Sequence, residues 1–328
     1  MYKFKFYSKS ILEHVFIPNF YYQKQLRGLL SKDQEWITKI IIPRVNYYFK
    51  RITQFHPAED EFIKLSDLSC FRKSAYYYDI RSVLRYYSND IKFQCWLRDV
   101  ITVPDNPRFV KCRPIGVDNA NSAILKLNQV RHYRKIADKN LFAEKKAKLV
   151  WRGSVYQRGW RAEFIKKLFN NPFCDVGALK GTAGVAGSQF EKEFLSINEQ
   201  LKYKFIFSIE GADVATNLKW IAQSNSLCFM KKPKHESWFM EDKLVAGEHY
   251  VEVDDTFDDI TDKIQYYLEK PEEAEEIISN MQEYYSQFQN MKNEKLTMLL
   301  VALKYFFLSG QISLDDLNLG FLKNEFIN

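Results

Sequence analysis

Two clusters of residues in the second half of this chain have the chemistry of an anion site. The first is Arg152-Gly153-Ser154, with Arg158 and Arg161 close behind. A guanidinium grips phosphate oxygens through two parallel hydrogen bonds, and a serine hydroxyl supplies another donor. The second cluster is Glu210-Gly211, followed by Asp213, Thr216, Asn217 and Lys219. A glycine turn that opens a helix presents backbone amides and the positive end of the helix dipole, with Lys219 one turn further in. Jointly, the two clusters could bracket one diphosphate. Neither is a P-loop or a dinucleotide fingerprint, since G-x-x-x-x-G-K-[ST] and G-x-G-x-x-G are both missing there. Either alone also fits a plain structural crossover whose glycine only relieves backbone strain.

The elements that must position them follow from the apolar pattern. Residues 203–230, YKFIFSIEGADVATNLKWIAQSNSLCFM, read as apolar run, glycine turn, helical segment and second apolar run. That is a βαβ unit, and such units close into a parallel sheet. Residues 149–151 form the strand that ends in the first cluster, and 160–169 the helix after it. Residues 176–188 (VGALKGTAGVAGS) read as a mobile loop, and 189–203 as a helix leading back to the central unit. The acidic run Asp254, Asp255, Asp258, Asp259 suits a loop and helix N-terminus better than a metal site. Residues 262–268 and 271–288 read as amphipathic helices, and LTMLLVALKYFFL near the end as an apolar helix too short to span a bilayer. The polar, lysine-rich stretch 138–148 is the expected hinge. It divides the chain into a domain at 1–140, a second at 141–295 and a helical tail at 296–328.

The first half offers one acid and a group of cations. Residues 67–87 are helix-like and 92–97 strand-like, the strand ending at Arg98-Asp99. An acid entering a loop at a strand's carboxyl end lies where open α/β sheets place their crevices, although helix caps and salt bridges occupy most aspartates. Lys111, Arg113, Lys126, Arg131, His132 and Arg134 follow. They could hold a phosphorylated acceptor, shape a phosphate site, or form a solvated face.

Composition bounds the rest. With 328 residues, 46% apolar and 27% charged, the chain is globular and long enough for two domains. A net charge of +7 suits an anionic partner. The five cysteines are scattered without a C-x-x-C pair, which argues for reduced thiols in a cytoplasm. Residues 1–50 mix aromatic and basic side chains, as a membrane–water interface favours and as an ordinary core-covering helix also permits. The N-terminus lacks the apolar core of a signal peptide, and no stretch spans a membrane.

Ordered blocks of the sequence carry a resemblance. LVWRGSVYQRGWR, EGADVATNLKW, SNSLCFMKKPKHESWFM and GEHYVEV resemble glycosyltransferase family 90, and LRDVITVP and VKCRPI…LKLNQVRHY are most similar to its bacterial lipopolysaccharide core branch. The resemblance implies an α/β fold of the GT-B kind: two facing Rossmann-type domains, with the C-terminal helix crossing back. It implies inverting transfer of a hexose from a UDP-sugar, such as UDP-glucose or UDP-galactose, to a glycan or lipopolysaccharide hydroxyl. Asp99 matches the family's catalytic base. Arg152, Gly153, Ser154, Arg158, Arg161, Glu210, Gly211, Asp213, Thr216, Asn217 and Lys219 would hold the donor; by analogy with two-Rossmann transferases, Glu236 would meet the ribose and Trp238 the uracil or sugar. Lys111, Arg113, Arg131 and His132 would face the acceptor. No cofactor or metal is implied, in keeping with the lack of a D-x-D motif. The partners implied are a nucleotide sugar, a glycolipid or glycan acceptor and an anionic inner-membrane surface, not nucleic acid. At Asn217 the eukaryotic members carry a nearby arginine, so the donor contact there differs. Two rivals remain: a protein O-glycosyltransferase of the same family, and a non-enzymatic basic protein that binds nucleic acid or membrane. RRM, KH, HTH and zinc signatures are lacking.

Overall fold

The computed structural model describes residues 2–30, 33–56, 62–69 and 74–327. It contains two compact units, and neither is one continuous stretch. One comprises Met1–Arg131, His235–Trp238 and Phe288–Asn328; the other comprises His132–Lys234 and Phe239–Gln287.

The second unit is built on six parallel strands: β1 (Lys146–Gly153), β2 (Cys174–Leu179), β3 (Glu191–Lys192), β4 (Tyr203–Ser208), β5 (Leu227–Met230) and β6 (Val251–Glu252). Their spatial order is β3-β2-β1-β4-β5-β6, the doubly wound order in which the direction of winding reverses between β1 and β4. The centre of β4 aligns Phe205 with Leu149 on one side and Leu227 on the other. Phe205, Ile206 and Phe207 are fully buried, which explains an uninterrupted apolar run in place of an alternating one. Helix Gly159–Leu168 turns Ala162, Ile165 and Leu168 onto the sheet. Helix Pro271–Ser286 opens with a proline whose fixed φ suits the first turn, followed by Glu272 and Glu273 at the positive end of its dipole. It buries Ala274, Ile277, Ile278, Met281 and Tyr285 at helical spacing.

Four readings of this unit change. Residues 189–203, expected as a helix, hold strand β3 and only the short α-helix Ile197–Gln200. Residues 138–148 are pinned rather than hinged: buried Asp138 and Lys145 form an ion pair at 2.6 Å, and Asp138 also accepts the Asn225 amide. The divide between units falls at Arg131/His132. Small residues Val176–Leu179 belong to buried β2, because a parallel sheet flanked by close-packed side chains admits glycine and alanine. The helix after Gly211 is one turn, Leu218–Ile221, since the chain ahead of it is a run of bends.

The first unit is mostly helical. Its core is helix Met291–Leu308, buried nearly all round and capped by Asn290, whose side chain accepts the Lys292 and Asn293 amides. Around it lie helices Ile42–Tyr48 and Ser74–Leu84. A small parallel sheet runs Cys95–Trp96, Arg108–Val110, Ser122–Ile124, much reduced from the Rossmann-type domain expected. Strand His235–Ser237 pairs antiparallel with Cys112–Pro114. Cys95, Cys112, Cys174 and Cys228 are free thiols, and Cys70 lies outside the described residues. Among the described residues no helix is long and apolar enough to cross a membrane.

Candidate active site

In a doubly wound sheet, ligands bind beyond the carboxyl ends of the strands where the order reverses. Here that place lies between the loops after β1 and β4, which hold the two clusters singled out by residue type. Arg161, on the helix after β1, fastens them together. Its Nη1 donates to Ser154 O at 2.7 Å, its Nη2 to Ile209 O at 2.9 Å and its Nε to Glu210 O at 3.0 Å. Trp160, which sequence reasoning passed over, adds Nε1 to Glu210 O at 3.1 Å and keeps 43% of its surface exposed. A Cβ at Gly211 would stand 3.3 Å from Arg161 Nη2 and 3.9 Å from Arg158 Nε, so glycine lets the two loops meet.

A second clamp shapes the first loop. The amides of Val155 and Tyr156 both donate to Thr182 O, and the Val185 amide donates to Tyr156 O. Gly184 has φ +50°, and a Cβ there would fall 2.0 Å from Tyr156 O, a position only glycine fills. Held this way, the two loops leave three polar groups uncommitted. Among the described residues, neither the Arg158 guanidinium nor the Ser154 and Thr216 hydroxyls has a hydrogen-bond partner, and all three residues are half-buried. Arg158 also occupies the N-cap of its helix, where a cation opposes the macrodipole and costs stability.

Other members of the clusters serve the frame. Arg152 spends its guanidinium on the sheet: Nη2 bonds Asp175 Oδ1 at 2.7 Å, Nη1 bonds Asp175 O and Trp151 O, and Nε bonds Glu193 O. Burial works against ionisation of Asp175, but hydrogen bonds from Tyr203, Lys192 and Arg152 outweigh it and hold the carboxyl well below its ordinary range. The same burial, with Asp175 alongside, pushes the Tyr203 hydroxyl up to about 12. Lys219 is turned inward and fully buried, ion-paired with Glu241 and donating to Ala215 O. Asn217 caps the end of β4, its Nδ2 on Phe207 O at 2.8 Å. Asp213 is buried, and its carbonyl accepts the Gly211 amide. Glu210 accepts the Lys234 amide on its carboxylate. Gly153 closes β1.

Glu236 and Trp238 belong to the first unit, whereas the β1 and β4 loops belong to the second. Both are fully buried. Glu236 Oε1 meets Arg113 Nε at 2.7 Å and its other oxygen accepts the Tyr47 hydroxyl. Arg113 also donates to Tyr47 O, Tyr48 O and Ser122 O. Trp238 stacks on Tyr48, with ring centroids 3.9 Å apart and planes 8° apart, and donates to Glu294, which also pairs with Arg44 and Lys126. A fully enclosed ring and carboxylate present no face to a nucleotide, so these residues anchor the strand His235–Ser237 and its end.

Asp99 follows the Cys95–Trp96 strand at the carboxyl end of the small parallel sheet. It pairs with Lys111 Nζ at 3.0 Å; the lysine is buried, while 46% of the Asp99 side chain is open. Buried cation and open carboxylate give a fixed, reachable acid. Arg98 packs over Trp96, 4.8 Å from its ring centre. Arg131 is exposed and His132 buried. Among the described residues no group of three or more His, Cys, Asp or Glu could hold a metal ion.

Comparison with known proteins identifies the family. The model of glycosyl transferase family 90 matches residues 119–305, which include both loops of the switch point. The O-glucosyltransferase LpsA of Dichelobacter nodosus is 45% identical over 235 residues, covering 72% of this chain and 73% of that protein. The chain belongs to glycosyltransferase family 90 and is a glycosyltransferase.

Proposed function

We propose that the enzyme moves a hexose, glucose foremost, from a UDP-sugar to a hydroxyl of a lipopolysaccharide or related surface glycan, with inversion. The single observation that carries the reading is the meeting of the β1 and β4 loops, with Arg158 uncommitted beside Gly211. In this reading Arg158, the Ser154 hydroxyl and amides of the 212–217 loop hold the diphosphate. As the sugar–phosphate bond breaks, negative charge grows on the β-phosphate, and fixed donors stabilise it without reorganising. Arg161 positions those donors. Arg152 stiffens the strand that carries it, and Lys219 the one-turn helix that carries it. Asp99 takes the proton of the attacking hydroxyl as general base. The name of the relative, an O-glucosyltransferase, supports glucose as the sugar.

Titration calorimetry with UDP, followed by a panel of UDP-hexoses offered with a lipopolysaccharide acceptor, tests this. Micromolar UDP binding with glucose transfer supports it. Absence of UDP binding by the folded protein overturns it. The protein's own cations carry the charge in this scheme, so a chelator is expected to leave turnover unchanged.

A further inference from the structure

The first thirty residues carry five Lys and Arg against one acid, Glu13. Helix Tyr2–Phe16 holds to the rest of its unit by its inner side. Arg85 donates to Glu13 O and Ile17 O and faces the Glu13 carboxylate at 3.7 Å, and Tyr7 meets Tyr78 edge-on. The outward side is apolar: Phe4 is 76% exposed and Phe16 72%, with Ile11 and Leu12 also open. Phe4, Leu12 and Phe16 recur at multiples of four and share one stripe. Lys5 and Lys9 border it, both exposed. The next helix, Asn19–Leu30, exposes Phe20 with Lys24 5.5 Å from its ring centre.

The hydroxyl within this stripe is already satisfied: Ser8 Oγ donates to Phe4 O at 2.7 Å. Hydroxyls bound to the preceding turn can enter an apolar medium without an unmet donor. Large exposed aromatics flanked by lysines, on a helix with its backbone bonds internal, match a surface that lies in the headgroup region of a bilayer.

We propose that helix Tyr2–Phe16, with the start of helix Asn19–Leu30, is a docking surface for an anionic lipid bilayer. The helix lies in the plane of the interface, Phe4, Leu12 and Phe16 entering the acyl boundary and Lys5 and Lys9 meeting phosphates. This surface stands independently of the sugar-transfer reading.

The test is co-sedimentation of the full chain with phosphatidylcholine vesicles, with and without phosphatidylglycerol. Three proteins are compared: unaltered, Lys5→Glu/Lys9→Glu and Phe4→Ser/Phe16→Ser. Calorimetry with UDP and thermal unfolding, both expected unchanged, show that the variants fold. The unaltered chain should sediment with the anionic vesicles and lose binding in high salt. Losing two lysine contacts should weaken partition by about 30-fold or more; losing two buried phenyl groups should weaken it by about 100-fold or more. Equal sedimentation with neutral vesicles, or variants that bind as the unaltered chain does, would overturn the proposal. So would a dimer that the phenylalanine variant abolishes while vesicles capture nothing, which assigns the stripe to a second copy.

Discussion

Replacing Arg158 by Gln separates ligand binding from stability, because the side chain has no partner among the described residues. A charge-assisted hydrogen bond contributes about 1.5–3 kcal/mol, so losing the contact to a diphosphate should weaken UDP binding by roughly 10- to 150-fold. Stability should move the other way. Arg158 caps a helix N-terminus, where removing a cation relieves about 0.3–1 kcal/mol. Arg161→Gln is the contrast: its guanidinium serves three backbone carbonyls, and their loss should cost about 2–5 kcal/mol. Titration calorimetry with UDP and urea unfolding on the same samples report both quantities. If Arg158→Gln binds UDP as tightly as the unaltered enzyme, no diphosphate sits at the switch point. If it unfolds as readily as Arg161→Gln, the division between ligand-facing and frame arginines is wrong.

Asp99→Asn should cut turnover by about 10²- to 10⁴-fold while UDP affinity stays put; retained turnover in a folded variant removes Asp99 as the base. Lys219→Met removes the cation paired with the buried Glu241 carboxylate and should cost about 3–5 kcal/mol in urea unfolding, whereas a solvent-facing lysine would cost almost nothing. Burial pushes the Asp79 carboxyl up to about 8, against hydrogen bonds from Gln129. The folded state then keeps a proton that the unfolded chain releases near pH 4, so this group's stabilisation is complete below that pH and drains away as pH rises toward 8. The stability difference between the unaltered enzyme and Asp79→Asn should therefore shift by an amount on the order of 5 kcal/mol between pH 4 and 8, and a flat difference would place the proton elsewhere.

The residues of the switch point were readable where the cue is local. Apolar runs ending in Arg-Gly-Ser and Glu-Gly located the ends of β1 and β4, since a strand buried on both faces must be apolar throughout. What stayed hidden depends on distant partners. Arg152 and Lys219 have the residue type of phosphate ligands, yet Asp175 and Glu241 claim them, and nothing near either cation announces the carboxylate. Glu236 sits on, and Trp238 directly after, a strand whose partner, Cys112–Pro114, lies far back in the chain. The first unit's strands are two or three residues long, too short for periodicity to separate from loop. Arg161 was placed beside the ligand by its neighbours in sequence, and its three carbonyl partners appear only when the β1 and β4 ends stand side by side.

Helix Met291–Leu308 fills the centre of a unit whose first 131 residues are made long before it. During synthesis those residues leave the ribosome with their aromatic surfaces facing water and nothing to fill the space between them. The parallel sheet of the other unit has all its strands by residue 252 and can assemble first. The part of the enzyme made earliest is thus the part that must fold last, and until the final forty residues emerge it is a client for chaperones.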